Sequence, residues 1–251
     1  MITRTTSSDI YGDRLYSVGL APGFYLLVVD SEIYGESNFN LQMNCVGGTS
    51  GACGLYGTDY FNQYYNGNLT PQACHWTKWN PYAYFDAQVE GGSDKWAHLE
   101  RKNTSDNNQP DVLLNLKRNS NNNYHINFDI WIPYYRSGYF NIQKALSYNN
   151  SSNEYGAEVF FYSNGSGVIR IGGNRYPFRY TQNKWTRVKI YANVNYGGYT
   201  TISLDGYNTV TYLSTWTASG YYGSSNIQAL DFYTNASDSD FYIDNISVSN
   251  Y

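Results

Sequence analysis

The feature that most constrains the fold is a long succession of short segments with alternating apolar and polar residues, separated by turn residues. Residues 124–130 alternate between apolar and polar residues, which places the two kinds of side chain on opposite faces of one strand. No window shows a sustained apolar pattern at helical spacing. The predicted strands are Ala83–Val89, Ala97–Arg101, Asp111–Leu116, Tyr124–Trp131, Gly138–Lys144, Ala157–Tyr162, Gly167–Gly172, Arg175–Tyr180, Trp185–Val194, Thr200–Leu204, Asn208–Leu213, Gln228–Tyr233 and Phe241–Val248.

Turn residues between these segments indicate how the strands connect. Asp205-Gly206 lies between two alternating runs and is the strongest two-residue hairpin signal in the chain. Roughly a dozen strands separated by turns at this spacing predict a two-sheet sandwich with a sizeable core. The predicted fold class is therefore all-β.

Charge and hydropathy exclude two classes of partner. The net charge is −4, charged residues make up 14% of the chain, and no more than two basic residues are adjacent. A nucleic-acid-binding domain normally carries a basic stripe, so no nucleic-acid partner is expected. No apolar run approaches about 20 residues, so no membrane insertion is expected.

The first part of the chain differs from the rest. Residues Leu15–Asp30 predict a hairpin with its turn at Pro22-Gly23, and Asn38–Cys45 predicts a further strand. These phrases resemble the last half of a bacterial pre-peptidase C-terminal β-sandwich. The resemblance implies a partial β segment over residues 1–46, whose open edge is expected to dock on another element. A Gly-rich linker over 47–54 and a second unit over 55–251 follow.

The chain has three cysteines, Cys45, Cys53 and Cys74. A flexible Gly-rich loop separates the first two, and a Cys45–Cys53 disulfide is the favoured pairing. Cys74 is then free or joined to sequence outside this chain. The alternative is three unpaired thiols. The absence of a Cys-x-x-Cys pair argues against zinc.

A second resemblance covers most of residues 55–251. The phrases that carry it are Phe61–Leu69, His75–Trp79, Ala87–Val89, Asp111–Leu114, Phe128–Pro133, Gly138–Gln143, Leu230–Tyr233 and Phe241–Ile246. In this order they resemble the jelly-roll, concanavalin-A-like modules of secreted Bacteroidota proteins, which are often exported by the type IX system. The resemblance implies a jelly-roll sandwich in an accessory module, and it says little about function. The family usually has Phe-Glu where this chain has Phe61-Asn62, which weakens a metal site carried over from related jelly rolls.

The sequence predicts no catalytic residues. Concanavalin-A-like glucanases typically carry Glu-x-Asp-x-x-Glu on one strand, and no such run occurs. The central acids Asp129, Glu154 and Glu158 do not have that spacing, and no histidine lies in a recognisable nucleophile motif. The chain is therefore predicted not to be an enzyme.

Exposed aromatic rings beside amides or carboxylates are typical of glycan-binding surfaces, because rings stack on sugar CH faces while polar groups bind hydroxyls. One such face arises if strands 124–131 and 138–144 pair through the connection 133–137. The alternative interpretation places Trp76, Trp79 and Trp185 in the core. The predicted ligand-binding residues are Trp76, Trp79, Asp129, Trp131, Asn141 and Gln143.

The last strand carries Asp244-Asn245 where apolar residues are expected. Hard cations bind several oxygen ligands, so Asp244 and Asp59 are predicted to hold a structural Ca²⁺ if the first and last strands pair. Other acids of residues 86–94 would complete the site. The alternative is that Asp244 and Asn245 only hydrogen-bond a bulge.

Together these features predict a secreted or cell-surface, non-catalytic module for polysaccharide binding or surface adhesion. Its partner would be a polysaccharide or cell-surface glycan. The alternative is a structural subunit of an extracellular filament, because few charges and open strand edges also suit self-association.

Overall fold

The structure is a computed structural model that describes residues 53–103, 105, 108–117, 123–145, 154–195, 197–224 and 226–249. The predicted β segment 1–46, most of the linker 47–54 and Cys45 lie outside the described residues. No helix in the described part is long and apolar enough to cross a membrane.

The described residues form sixteen strands and one short 3₁₀ turn, Thr70–Gln72. The strands are β1 Gly57–Asp59, β2 Gly67–Asn68, β3 Trp76–Lys78, β4 Gln88–Gly91, β5 Lys95–Glu100, β6 Asp111–Asn115, β7 Asn123–Trp131, β8 Gly138–Ala145, β9 Glu154–Phe161, β10 Ser166–Ile171, β11 Asn174–Arg179, β12 Trp185–Asn193, β13 Tyr199–Leu204, β14 Asn208–Leu213, β15 Ala229–Tyr233 and β16 Asp240–Ser249.

The strands form two antiparallel sheets. The larger has nine strands in the order β14-β13-β12-β7-β16-β5-β4-β2, with β1 also paired to β16. The smaller has seven strands in the order β11-β10-β9-β8-β15-β6-β3. This architecture confirms the predicted all-β, two-sheet sandwich.

The predicted hairpin at Asp205-Gly206 is confirmed: it joins β13 to β14, and Ile202 pairs with Val210. Both turn residues have positive φ, 50° and 77°, as a type I′ hairpin turn requires. The predicted strand Ala83–Val89 was wrong over most of its length, because β4 begins only at Gln88. Strands β1, β2 and β3 were not predicted, because they are too short to show alternation.

The core lies between the sheets and is made by the apolar residues of the alternating pattern. Phe128 of the larger sheet packs edge-on against Phe140 and Phe232 of the smaller sheet, with ring centroids 5.1 and 5.3 Å away. All three side chains are fully buried. The polar residues that alternate with these apolar residues along each strand therefore point away from the core, as the strand period of two requires.

The disulfide prediction was wrong: Cys53 pairs with Cys74, and their Cα atoms lie 5.8 Å apart. The backbone around β6 brings the two cysteines together. The Leu55 amide donates to the Asn115 carbonyl, and the Asn115 amide donates to the His75 carbonyl, both at 2.8 Å. Proximity in the fold therefore decided the pairing, whereas the short spacing of Cys45 and Cys53 suggested a different one.

We expect Cys74→Ser to lower the free energy of unfolding by about 3 kcal/mol, because the bridge closes a loop of moderate length in the unfolded chain. The two cysteines are 21 residues apart. Urea unfolding followed by tryptophan fluorescence measures the change. Reduced wild-type protein is the matched control and should lose the same stability, whereas no loss on reduction would contradict the pairing.

Candidate functional site

A groove of about 630 Å³ lies over the outer face of the seven-stranded sheet. Its floor contains carboxyl groups and amides from neighbouring strands, and its walls contain aromatic rings. The carboxyl residues are Asp111, Glu158 and Asp231, and the aromatic residues are Trp79, Tyr139, Tyr155, Phe160 and Tyr233. None of the described residues that line the groove carries a positive charge.

Strand register places the floor residues side by side. Asn141 of β8 lies directly opposite Asp231 of β15 and, on its other side, Glu158 of β9. Their neighbours along each strand, such as Phe140 and Phe232, point into the core. The alternation that builds the core therefore turns these polar side chains toward the groove.

Hydrogen bonds connect the side chains of the floor into one network. Asn141 Nδ2 donates to Asp231 Oδ2 at 2.6 Å and to the Tyr139 hydroxyl at 3.1 Å. The Tyr139 hydroxyl donates to Glu158 Oε1 at 3.1 Å. Gln143 Nε2 donates to Asn141 Oδ1 at 2.7 Å and to Asp231 Oδ2 at 3.3 Å. Asn141 and Gln143 are buried, and the hydrogen bonds of their amide groups hold the floor side chains in place.

Asp111 and Asp231 form a hydrogen-bonded carboxyl pair in the floor. Burial raises the pKa of both carboxyls, and the charge of Asp231 raises the pKa of Asp111 further. The two carboxyls hydrogen-bond each other, and no other described group donates to Oδ1 of either side chain. Two adjacent carboxyls satisfy each other when one of them holds a proton, so the pair retains a proton to higher pH than an ordinary aspartate.

Arg170 lies beside Glu158, at one end of this hydrogen-bond network. Its guanidinium is 3.8 Å from Glu158 and 4.6 Å from the centroid of the Phe160 ring. The Phe160 ring packs on Tyr139, with centroids 4.8 Å apart. The guanidinium therefore compensates Glu158, and none of the described residues lining the groove supplies a cation to Asp111 and Asp231.

The predicted binding face does not exist as one surface. Asp129 and Trp131 lie on β7, which pairs with β12 and β16, whereas Asn141 and Gln143 lie on β8, which pairs with β9 and β15. The connection 133–137 crosses between the two sheets. Both strands have an apolar face, and the two faces bury each other across the core instead of lying side by side.

The remaining predicted binding residues also lie in different parts of the structure. Trp76 is 1% exposed and belongs to the core, so its predicted binding role was wrong. Trp79 lines the groove. Asp129 is held by Arg187 Nη2 at 2.8 Å and by Asn245 Nδ2 at 2.9 Å, so it pairs within the protein.

Trp131 lies in a row of rings on the outer face of the larger sheet, with His98, Tyr242 and Trp185 in register across four strands. His98 stacks on Tyr242 at 4.1 Å, and Trp131 packs on Tyr242 at 4.8 Å. Trp185, which the alternative interpretation placed in the core, is 38% exposed. These rings pack on one another along the sheet, and Trp185 at the end of the row keeps an exposed face.

The first and last strands pair as the calcium prediction requires, with Asp59 opposite Ile246. Asp59 is fully buried, and its two oxygens accept five hydrogen bonds, from the Phe61 amide, Gln63 Nε2, the Tyr64 hydroxyl, His75 Nε2 and Trp76 Nε1. These donors occupy the positions that a cation would need. Within the described residues, no three His, Cys, Asp or Glu side chains form a metal-binding group.

Asp244 lies beside a bulge between β16 and β7. Its Oδ1 accepts a hydrogen bond from the Asn245 amide at 2.6 Å, and Asn245 has a positive φ of 52°. Burial, together with the charges of Asp94, Asp129 and Asp59, raises the pKa of Asp244 to about 6. The bulge of the alternative interpretation is present, and calcium binding stays a prediction.

Several groove residues were not predicted, chiefly Asp111, Asp231, Tyr155 and Phe160. One signal was present: Asp231 is an acid at the centre of the apolar run 229–233. Such a residue is either paired or part of a site. Asp111 gave no comparable signal, because it stands at the start of its strand.

No family model and no curated protein matches this sequence. Among solved structures, alginate lyase Aly36B matches with a TM-score of 0.54 at 13% identity, covering 79% of this chain and 98% of that one. The fold is a concanavalin-A-like jelly roll. A double mutant of the same enzyme in complex with an alginate tetrasaccharide also matches, with a TM-score of 0.54 at 15% identity, covering 80% of this chain and 98% of that one. At these identities the concanavalin-A-like likeness concerns the fold, and the bacterial group and export route stay predictions.

Proposed function

We propose that this protein is a secreted or cell-surface module whose groove on the seven-stranded sheet binds a polysaccharide chain. The observation that carries the proposal is the hydrogen-bonded floor from Glu158 to Asp231, set between aromatic walls. Rings stack on the CH faces of pyranoses, and fixed polar groups orient hydroxyls. The groove volume lies within the range of about 300–1,000 Å³ that is usual for ligand sites.

The Cys53–Cys74 disulfide supports the location, because disulfides persist in oxidising compartments such as the cell exterior. The fold supports the ligand class in a general way, since a protein of the same fold has been solved with an alginate tetrasaccharide. Neither observation identifies the sugar.

We expect Trp79→Ala to weaken oligosaccharide binding about tenfold, because the ring forms a wall of the groove. The Trp79 backbone amide donates to the Asp111 carbonyl at 3.0 Å, so the backbone at this position should persist in the variant. Isothermal titration calorimetry with neutral, amino-sugar and uronate oligosaccharides measures the effect.

Trp185→Ala is the matched control, since it removes an exposed tryptophan from the opposite sheet. Unchanged binding in this control and a loss in Trp79→Ala support the groove. A loss in Trp131→Ala, with Trp79→Ala unaffected, would instead place binding on the larger sheet.

Hydrolysis of the bound chain is a second candidate function, favoured by the position of two carboxyls in the floor. Asp231 and Glu158 lie on either side of Asn141, so their Cα atoms are separated by two strand spacings, about 10 Å. Inverting glycosidases place two carboxyls about 6.5–9.5 Å apart across the cleft. Mass spectrometry of the oligosaccharides after incubation distinguishes the two functions, because shortened chains appear only with catalysis.

The filament hypothesis has a separate readout. Light scattering on the same samples over a range of protein concentrations reports association. Regular polymers without oligosaccharide binding would support a structural subunit in place of a binding module.

A further inference from the structure

Three arginines share the outer face of the seven-stranded sheet beside the groove. Arg170 of β10 lies directly opposite Arg175 of β11, and Arg179 lies four residues further along β11. Directly opposite residues of an antiparallel pair point to the same side of the sheet, and so do residues an even number of positions apart along one strand. The three guanidinium groups therefore form one surface, which we call the arginine patch.

Contacts of neighbouring residues identify the side of the sheet on which the patch lies. The Arg170 guanidinium is 4.6 Å from the centroid of the Phe160 ring, and Phe160 lines the groove. Phe178, the neighbour of Arg179 along β11, packs in the core on the opposite side. The arginine patch therefore begins at the Phe160 wall of the groove and continues the same face across β10 and β11.

The patch carries more positive charge than the protein neutralises. Arg175 and Arg179 are exposed. Among the described residues, Glu158 alone lies within salt-bridge distance of the patch, with an oxygen 3.8 Å from Arg170. Like charges directly opposite each other on neighbouring strands destabilise a sheet, so an anion bound over Arg170 and Arg175 would remove that cost.

Resting on the proposed function, we infer that the groove and the arginine patch together bind an acidic polysaccharide, whose carboxylate or sulfate groups contact the three arginines. A guanidinium keeps its charge in proteins and holds five N–H donors in a planar fork, which matches the paired oxygens of an oxyanion. A neutral sugar offers these groups no opposite charge. A polysaccharide fits the surface because the patch is continuous with a groove whose walls are aromatic rings.

The acids in the groove floor do not cancel the patch. Asp231 lies on β15, four strand spacings or about 19 Å from Arg175 on β11. That distance exceeds the screening length of about 8 Å at physiological ionic strength. Glu158, which is nearer, faces one of the three guanidinium groups. An acidic chain is therefore attracted at the patch and contacts rings and amides in the groove.

The test compares acidic oligosaccharides with neutral chains of equal length, by isothermal titration calorimetry on the full chain. Uronate oligosaccharides are paired with their carboxyl-reduced counterparts, and sulfated galactan oligosaccharides with their desulfated counterparts, so the two sources of negative charge are tested separately. The oligosaccharides have to reach from Trp79, which follows β3, to Arg175 on β11, six strand spacings or about 29 Å.

We expect at least one acidic chain to bind about tenfold more tightly than its neutral counterpart, because charge-assisted hydrogen bonds replace neutral contacts. The preference should decrease as sodium chloride is raised, since exposed charges are screened by salt.

Arg175→Gln is expected to lower the affinity for the preferred acidic chain about tenfold and to leave that for the neutral counterpart unchanged. Arg175→Lys keeps the charge and loses the planar fork, so it should recover part of the loss. Lys189→Gln is the matched control, because it removes an exposed positive charge from the larger sheet, and it should change neither affinity. Arg175 is exposed on an edge strand, so its variants should fold.

Trp79→Ala should weaken the acidic and the neutral chain alike, because both occupy the groove. If it leaves the acidic chain unaffected while Arg175→Gln weakens that chain, the patch binds anions apart from the groove and the inference is overturned. Equal affinity for acidic and neutral chains, or an acidic preference that survives Arg175→Gln combined with Arg179→Gln, would also overturn it and leave polysaccharide binding intact. If no oligosaccharide of any type binds the wild-type protein, the proposed function fails together with the inference.

Discussion

Trp76→Ala is expected to lower the free energy of unfolding by about 3–5 kcal/mol, the usual cost of removing a large aromatic side chain from a core. Trp76 is 1% exposed and packs on Phe61 and Phe232, with ring centroids 5.9 and 6.1 Å away. Its Nε1 also donates to Asp59 at 2.9 Å, and that bond is lost as well. Chemical denaturation measures the change.

Trp76→Phe is the control, because it keeps most of the packing and loses the hydrogen bond. Its loss of stability should be clearly smaller. Because Trp76 was first predicted to bind glycan, the opposite result is informative: a stable Trp76→Ala variant with weakened oligosaccharide binding would restore that role and contradict the core position.

Asp59→Ala is expected to destabilise the protein by a similar amount, about 3–5 kcal/mol, because it leaves several buried donors without an acceptor. Although burial acts to raise the pKa of Asp59, hydrogen bonds from His75, Trp76, Tyr64 and the Phe61 amide hold it below the ordinary value. The carboxylate is therefore ionised in the folded protein and connects β1 to the residues before and within β3.

The same variant tests the calcium prediction. Thermal unfolding in calcium and in EDTA gives the metal-dependent part of the stability. If Asp59 is an acceptor for protein donors, Asp59→Ala loses stability equally in both solutions, and Asp59→Asn, which keeps one acceptor oxygen, loses less. A calcium-dependent gain in the wild type that disappears in Asp59→Ala would make Asp59 a metal ligand, as the sequence predicted.

The strands with the clearest alternation were predicted closely. The run Tyr124–Trp131 corresponds to β7, and its apolar residues Ile126, Phe128 and Ile130 are buried as expected. The hairpin at Asp205-Gly206 was equally clear, because its signal lies within two residues. Local periodicity and turn chemistry are properties of short segments, so one sequence is sufficient to identify them.

The site was predicted only in part. Asn141 and Gln143 are in the floor or directly beneath it, and Trp79 is in a wall, but Asp129 and Trp131 lie on the other sheet. The error came from one assumption, that consecutive strands β7 and β8 pair. In a two-sheet sandwich a short connection often crosses from one sheet to the other, and nothing in residues 133–137 distinguishes the two cases.

By itself the sequence determined the all-β class, the alternating faces and a supply of aromatic and amide side chains suited to sugars. Only the tertiary structure decided which polar residues share a face. The bond from Asn141 to Asp231 joins residues 90 positions apart, and the Cys53–Cys74 bridge likewise depends on where β6 lies. Alternation is dictated by the backbone period of two within each strand. Strand partners are instead selected by burial of the whole core, which no short segment encodes.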